Sequence, residues 1–91
     1  MVAVRHTTHP EIIKRLKQAQ GQLASVLAMF ADGRSCIDLA QQLQSVESII
    51  HLAKRTLIQD HMEHCIGDGV GEGAMNPDEA LREFKALAKY L

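Results

Sequence analysis

The sequence predicts an all-α domain of three helices, and three observations predict it. Apolar residues recur at spacings of three and four over long stretches, which is the period of an amphipathic helix rather than of a strand. The apolar share is 46%, yet the chain holds two Phe, one Tyr and no Trp. Its core must therefore come from Leu, Ile, Val, Ala and Met, a stock suited to helix-on-helix packing. Helix start and stop signals also punctuate the chain at three places. Ninety-one residues make one small domain, expected over 1–91 with 1–8 as a flexible arm. A domain of this size buries a modest share of its surface, so oligomerisation adds burial that one chain lacks.

The first helix starts at Thr8-His9-Pro10-Glu11, a capping box in which Thr8 caps, Pro10 sits in the first turn and Glu11 answers from N3. Its stripe is Ile12, Leu16, Ala19, Leu23, Val26, Leu27 and Phe30. Gly21 interrupts it at some cost in propensity. Asp32-Gly33 ends it, with Gly33 suited to the left-handed C-terminal position.

Ser35-Cys36-Ile37-Asp38 opens the second helix, with Ser35 as cap and Asp38 at N3. Leu39, Leu43, Val46, Ile50, Ala53 and Leu57 form its stripe, and Ile49, Leu52 and Ile58 widen it. An apolar arc this broad needs more than one neighbour. The first helix is one; a second copy of this helix is the simplest other. The helix is expected to fade near Ile66. Residues 67–73 hold four glycines and no hydrophobic period, so they read as a loop. Asn76-Pro77-Asp78-Glu79 restarts a helix, with Asn76 as cap and Pro77 at N1. Ala80, Leu81, Phe84, Leu87, Ala88 and Leu91 are its stripe.

Composition narrows the function classes. The formal charge is −1, so the chain is not a basic nucleic-acid binder by net charge. Its distribution is uneven: residues 1–59 carry seven Lys/Arg against four acids, a balance of +3. Residues 60–91 carry three against seven, a balance of −4. That asymmetry fits a basic surface at one end of the fold, and fits solvated helices as well. Met1 to Val4 is too short for a signal-peptide core, and no apolar run approaches the ~18 residues of a membrane span. A cytosolic chain follows, in which two cysteines read as metal ligands or redox thiols rather than a structural disulfide. With no Gly-rich phosphate loop, no nucleophile-base-orienter constellation and no evident oxyanion hole beside a helical His–Cys pair, an enzyme is not expected.

The chemistry concentrates in Cys36 and in Asp60-His61-Met62-Glu63-His64-Cys65. On a continuous helix, His61 and Cys65 stand one turn apart on one face and can chelate one ion. Cys36 lies roughly 40 Å away along that helix at ~1.5 Å per residue, so one chain cannot close the site. An antiparallel partner helix can: Cys36 of one chain then meets His61 and Cys65 of the other. Cys36 also sits in a helix first turn, where unpaired N–H groups and the dipole favour a thiolate, the metal-binding form. Two sulfurs and an imidazole suit Cu(I), Zn(II) or thiolate-rich Ni(II) over Mg or Ca. A fourth ligand from the arm, His6 or His9, favours four-coordinate Ni(II) or Zn(II). His64 is turned away by about 60° or more, and His51 reads as an exposed or interface residue. The plainer alternatives stand beside this: Cys is often a small buried hydrophobe, and His suits a helix C-terminus for the dipole alone.

Lys14, Arg15 and Lys17, with Gln18, Gln20 and Gln22, make a basic-polar edge on the first helix, and Lys54 and Arg55 add charge on the second. These suit DNA phosphates and equally a solvated face. No helix-turn-helix or zinc-finger spacing is visible.

Several stretches together resemble one known family: Arg15-Leu16-Lys17 with Gly21-Gln22-Leu23, Cys36 with Gln41-Gln42-Leu43, and Asp60-His61 through His64-Cys65. They look like the copper-sensitive-operon repressor (CsoR) family over roughly residues 9–91. Gly33-Arg34-Ser35-Cys36, Ala53-Lys54-Arg55 and 84–91 look most like its nickel-resistance regulators. The resemblance implies a tetramer built as a dimer of antiparallel dimers, each dimer a four-helix bundle. It implies a repressor that binds operator DNA when metal-free and is released by Cu(I) or Ni(II), derepressing efflux or resistance genes. The metal ligands implied are Cys36 from one protomer and His61 and Cys65 from its partner, one site per protomer. His6 is the nearest candidate for the nickel branch's N-terminal histidine. Lys14, Arg15, Lys17, Lys54 and Arg55 are the implied DNA contacts. Copper members commonly carry Tyr where this chain has Ser35, which removes an outer partner of the histidine ligand. Two alternatives remain: a formaldehyde or persulfide sensor acting through Cys36, and a helical metal-binding protein with no DNA role.

Overall fold

The computed structural model describes residues 8–63, 71, 73 and 76–91. The expected arm, apart from Thr8, and most of the expected glycine-rich loop lie outside the described residues. Within them the regular structure is three helices and no strand: α1 His9–Ala31, α2 Cys36–His61 and α3 Pro77–Ala88. The all-α class is as expected. None of these helices is long and apolar enough to cross a membrane.

The helix ends follow local chemistry. Gly33 takes φ +70°, and the carbonyls left open at the end of α1 are closed around it. Gly33 N–H donates to the Phe30 carbonyl (3.2 Å) and Arg34 N–H to the Met29 carbonyl (3.1 Å), the bond pair of a Schellman motif. Two residues on, Ser35 Oγ accepts from the Asp38 N–H at 3.1 Å, capping α2. Asn76 Oδ1 caps α3 by accepting from the Glu79 N–H at 2.9 Å, with Pro77 in the first turn. The start of α1 departs from expectation. The Thr8 hydroxyl is buried with no hydrogen-bond partner among the described residues, and Glu11 faces Arg15 one turn on, at 3.8 Å.

Two compact units make up the chain. The first, Pro10–Ala53, holds most of α1 and the first part of α2, joined through residues 32–35 as a helical hairpin. Its core is Ala19, Val26, Leu39 and Val46, with Met29 and Ile49 packed against them. The buried positions fall seven residues apart on each helix: Ile12, Ala19 and Val26 on α1, and Leu39, Val46 and Ala53 on α2. That is a single seam of the kind seen in coiled coils. Ser45 Oγ donates to Gln22 Oε1 across the hairpin at 3.0 Å.

The rest of the expected stripe is not covered. Leu16, Leu23, Leu27 and Phe30 on α1, and Leu43, Ile50 and Leu57 on α2, are exposed within the single chain. The physical reason is the width of the apolar arc. One neighbouring helix hides one seam of a helix, and residues 100° or so around the axis need a second surface.

The second unit takes in residues 8–9 and the described part of Lys54–Leu91. Ile58 and Ala80 are its buried apolar residues, and Asp60 is buried with them at 3% exposure. Leu81, Phe84, Tyr90 and Leu91 remain exposed.

Candidate metal centre

Cys36 is the first residue of α2, and its thiol is free and exposed. The cap places it there. Ser35 occupies the Asp38 N–H, and the Arg34 guanidinium reaches the Asp38 carboxylate at 3.2 Å, so the turn around Cys36 is held from both sides. The Cys36 and Ile37 N–H groups belong to the set that a helix leaves without intrahelical partners.

His61 is the last α-helical residue of α2 and is half-buried. Its Nε2 lies in hydrogen-bond contact with Oε1 of Glu83 on α3. A carboxylate accepts and does not donate, so the contact calls for the proton on Nε2. The ring is thereby held in orientation, as metal-binding imidazoles generally are. The donor chemistry therefore fits a soft or borderline ion: an exposed thiol and an imidazole fixed by a carboxylate. Sequence reasoning missed Glu83, because nothing in the α3 pattern says which of its acids meets His61.

Directly before His61, the Asp60 side chain is only 1% exposed, and its Oδ2 lies 3.9 Å from Nε2 of His9, the first residue of α1. A signal for Asp60 does exist in the sequence. The buried seam of α2 runs 39, 46, 53, and the next position at that spacing is 60, so a carboxylate stands where the pattern calls for an apolar residue. After His61 the helix widens into a π-type turn at Met62 and Glu63. The expected continuation to Ile66, together with His64, Cys65 and the arm residue His6, lies outside the described residues. Among the described residues no three His, Cys, Asp or Glu side chains converge on one point. The two described candidates, Cys36 and His61, stand at opposite ends of one helix.

Of the basic residues, Lys14 and Lys17 are exposed on α1 and Arg15 is half-buried beside Glu11. Lys14 and Arg15 border a shallow groove of ≈ 360 Å³ whose floor includes Ile49 and Leu52 of α2. Lys54 and Arg55 are exposed on α2.

Comparison with known proteins adds the family. A model of metal-sensitive transcriptional repressors matches residues 8–90. The chain is 32% identical over 78 residues to the copper-sensing transcriptional repressor RicR of Mycobacterium tuberculosis, covering 86% of this chain and 81% of the relative. It is 31% identical over 81 residues to the copper-sensing repressor CsoR of Bacillus subtilis, covering 87% and 80%. Among solved structures, it is similar to the Cu(I)-bound copper-sensing repressor CsoR of Geobacillus thermodenitrificans, with TM-score 0.82, 29% identity and coverage of 98% and 91%. The nickel-responsive regulator InrS shares the fold, with TM-score 0.81, 24% identity and coverage of 99% and 100%.

Proposed function

This chain belongs to the metal-sensitive transcriptional repressor family, and from that premise we propose that it binds operator DNA when metal-free and releases it on binding Cu(I) or Ni(II). The observation that carries the reading is the His61–Glu83 contact. It orients a candidate ligand before any ion arrives.

The proposed ligands are Cys36 from one protomer and His61 and Cys65 from the partner, with His6 as a further ligand in the nickel case. Twenty-five positions separate Cys36 from His61 along α2, about 38 Å at ~1.5 Å per residue, so an antiparallel partner has to close the site. The large apolar residues left exposed on α1 and α2 supply the surface for that pairing and for a dimer of dimers. In this assembly each chain's residues have separate tasks. Cys36 and Cys65 offer thiolates, His61 offers its imidazole, and Glu83 holds the ring. Lys14, Arg15, Lys17, Lys54 and Arg55 meet the phosphate backbone. The bound ion supplies bonds that cross between two chains and so favours one arrangement of the protomers over another. Release then requires that this arrangement fit the operator less well than the metal-free one.

Ser35 bears on the ion. Its Oγ is committed to the Asp38 N–H, so the outer support of His61 rests on Glu83. A second reading, thiol chemistry at exposed Cys36 with formaldehyde or a persulfide, gives the His61–Glu83 contact no role.

The test is operator binding, with the promoter fragment beside its gene, in the presence and absence of Cu(I) and of Ni(II). Cys36→Ala is expected to keep DNA binding and lose the metal response. No binding to that fragment by the metal-free protein would sink the repressor reading. Absorption spectra separate the ions, since Ni(II) held by thiolates shows d–d bands and Cu(I) has none. Unchanged Ni(II) bands in His6→Ala would remove His6 from the site.

A further inference from the structure

Asp60 has no role in the site described above, yet it is the one charged residue among the described residues that is buried. It continues the α2 seam one heptad past Ala53. A carboxylate in that register is costly to bury, and it persists only where the surrounding groups compensate it. Beside it lies His9, with Nε2 at 3.9 Å and its own side chain 40% exposed. The two residues belong to the same compact unit. Their places in the chain matter more than their distance. Asp60 is the peptide neighbour of His61, the candidate ligand. His9 is the first residue of α1, five residues before Lys14 and six before Arg15, the proposed DNA contacts.

Resting on the repressor reading, we propose that the His9–Asp60 contact is a positioning link through which the state of His61 reaches the N-terminal turns of α1. His61 is held on one side by Glu83 on α3, so a change in the ring's position moves the backbone that it shares with Asp60. A buried side chain has little freedom to absorb that movement by a rotamer change, because close packing leaves few alternative positions. The half-buried imidazole of His9 follows, and with it the first turn of α1. Neither residue needs to touch the ion or the DNA.

The link is a coupling term, so the test reads coupling rather than affinity. Operator dissociation constants are measured for the full-length protein with and without saturating Cu(I), and separately Ni(II), in wild type, His9→Ala, Asp60→Asn and the double variant. Metal affinity is measured alongside by chelator competition, and amide hydrogen exchange of residues 9–17 is followed before and after metal addition. Metal-responsive coupling typically spans about 5- to 150-fold. In each single variant the ratio of the two dissociation constants is expected to fall to within about threefold of unity, with metal-free operator binding kept within about threefold in both and metal affinity kept within about threefold in Asp60→Asn. The double variant is expected to lose no more than either single one, as for residues acting through one contact. Metal is expected to alter exchange in 9–17 in wild type and to leave it unaltered in the variants. His9→Ala removes a partly exposed side chain, and Asp60→Asn preserves shape, so at least one variant folds. Wild-type coupling ratios in a folded variant overturn the link alone. A wild type that binds the operator and ignores both metals overturns the repressor reading and the link with it.

Discussion

Replacing Glu83 by glutamine isolates what the carboxylate behind His61 does. The substitution preserves shape and leaves an amide oxygen that can still accept the Nε2 proton, so the ring keeps its place. What it removes is the negative charge beside the ring. The pair is about a third exposed, His61 at 30% and Glu83 at 37%, and exposed pairs of this kind contribute about 0–1 kcal/mol to folding. Metal-free stability should therefore move by less than about 1 kcal/mol. Outer partners of metal ligands, by contrast, typically affect affinity by about 10- to 100-fold. Because glutamine keeps the hydrogen bond, the expected loss is near the lower bound, about tenfold, or about 1.4 kcal/mol. Chelator competition against the variant, with Cu(I) and Ni(II) as separate arms, reads this directly, and thermal unfolding of the metal-free protein reads the control. An unchanged metal affinity in Glu83→Gln, alongside a collapse in His61→Ala, would show that the negative charge beside the ring contributes nothing of consequence to metal binding.

The basic residues on α1 make a different kind of prediction. Arg15→Ala and Lys17→Ala should each weaken operator binding for any sequence tested and reduce the slope of log affinity against log salt by about 1; unaltered slopes in both would remove α1 from the DNA surface. Gly33→Ala places a Cβ at φ +70° with nothing within 4 Å of it, so its cost is backbone strain alone, about 1–2 kcal/mol. Denaturant midpoints at fixed protein concentration check this, and a neutral result would mean that the α1–α2 turn relaxes at no cost. Val26→Ala takes two carbons from the most deeply buried side chain of the hairpin. At about 0.8 kcal/mol per CH₂ plus a cavity term, it should cost about 2 kcal/mol; a loss under 0.5 kcal/mol would place the core elsewhere.

What the sequence discloses depends on how local the cause is. The turn at Gly33, the cap at Ser35 and the Asn76-Pro77 start are each decided within four residues, and the structure forms all three. Thr8 carries the same signature and fails, because its hydroxyl is buried without the expected partner. The stripes were readable as arcs, and the mistake to be made there is to equate an arc with a core. Leu16, Leu23, Leu27 and Phe30 belong to the α1 arc but stand outside the 12-19-26 seam that the hairpin covers. Cys36 and His61 are legible as candidates from residue type and spacing, and the same spacing is what proposes a partner chain. Glu83 was not, since its meeting with His61 depends on how α3 packs, which no spacing within α3 encodes. Asp60 lies between these cases. Its register on the 39-46-53 seam marks it as out of place, while the identity of what compensates it comes only with the fold.

These residues also bound what the proposed switch must be made of. A hundredfold change in operator affinity corresponds to about 2.8 kcal/mol. The His61–Glu83 pair, half-exposed as it is, contributes about 1 kcal/mol at most through its own rearrangement, so it cannot supply that difference alone. At ~25 cal/mol per Å², however, 2.8 kcal/mol equals about 110 Å² of apolar surface, the burial of a single large aliphatic side chain. Leu16, Leu23, Leu27 and Phe30 all stand uncovered on α1, on the same helix that carries Lys14, Arg15 and Lys17 and begins at His9. In the proposed assembly a small change in how that face packs against its neighbours therefore supplies the free energy, and the contacts at the end of α2 decide only which packing is reached. The sensor end of the molecule has to be well oriented; it does not have to be strong.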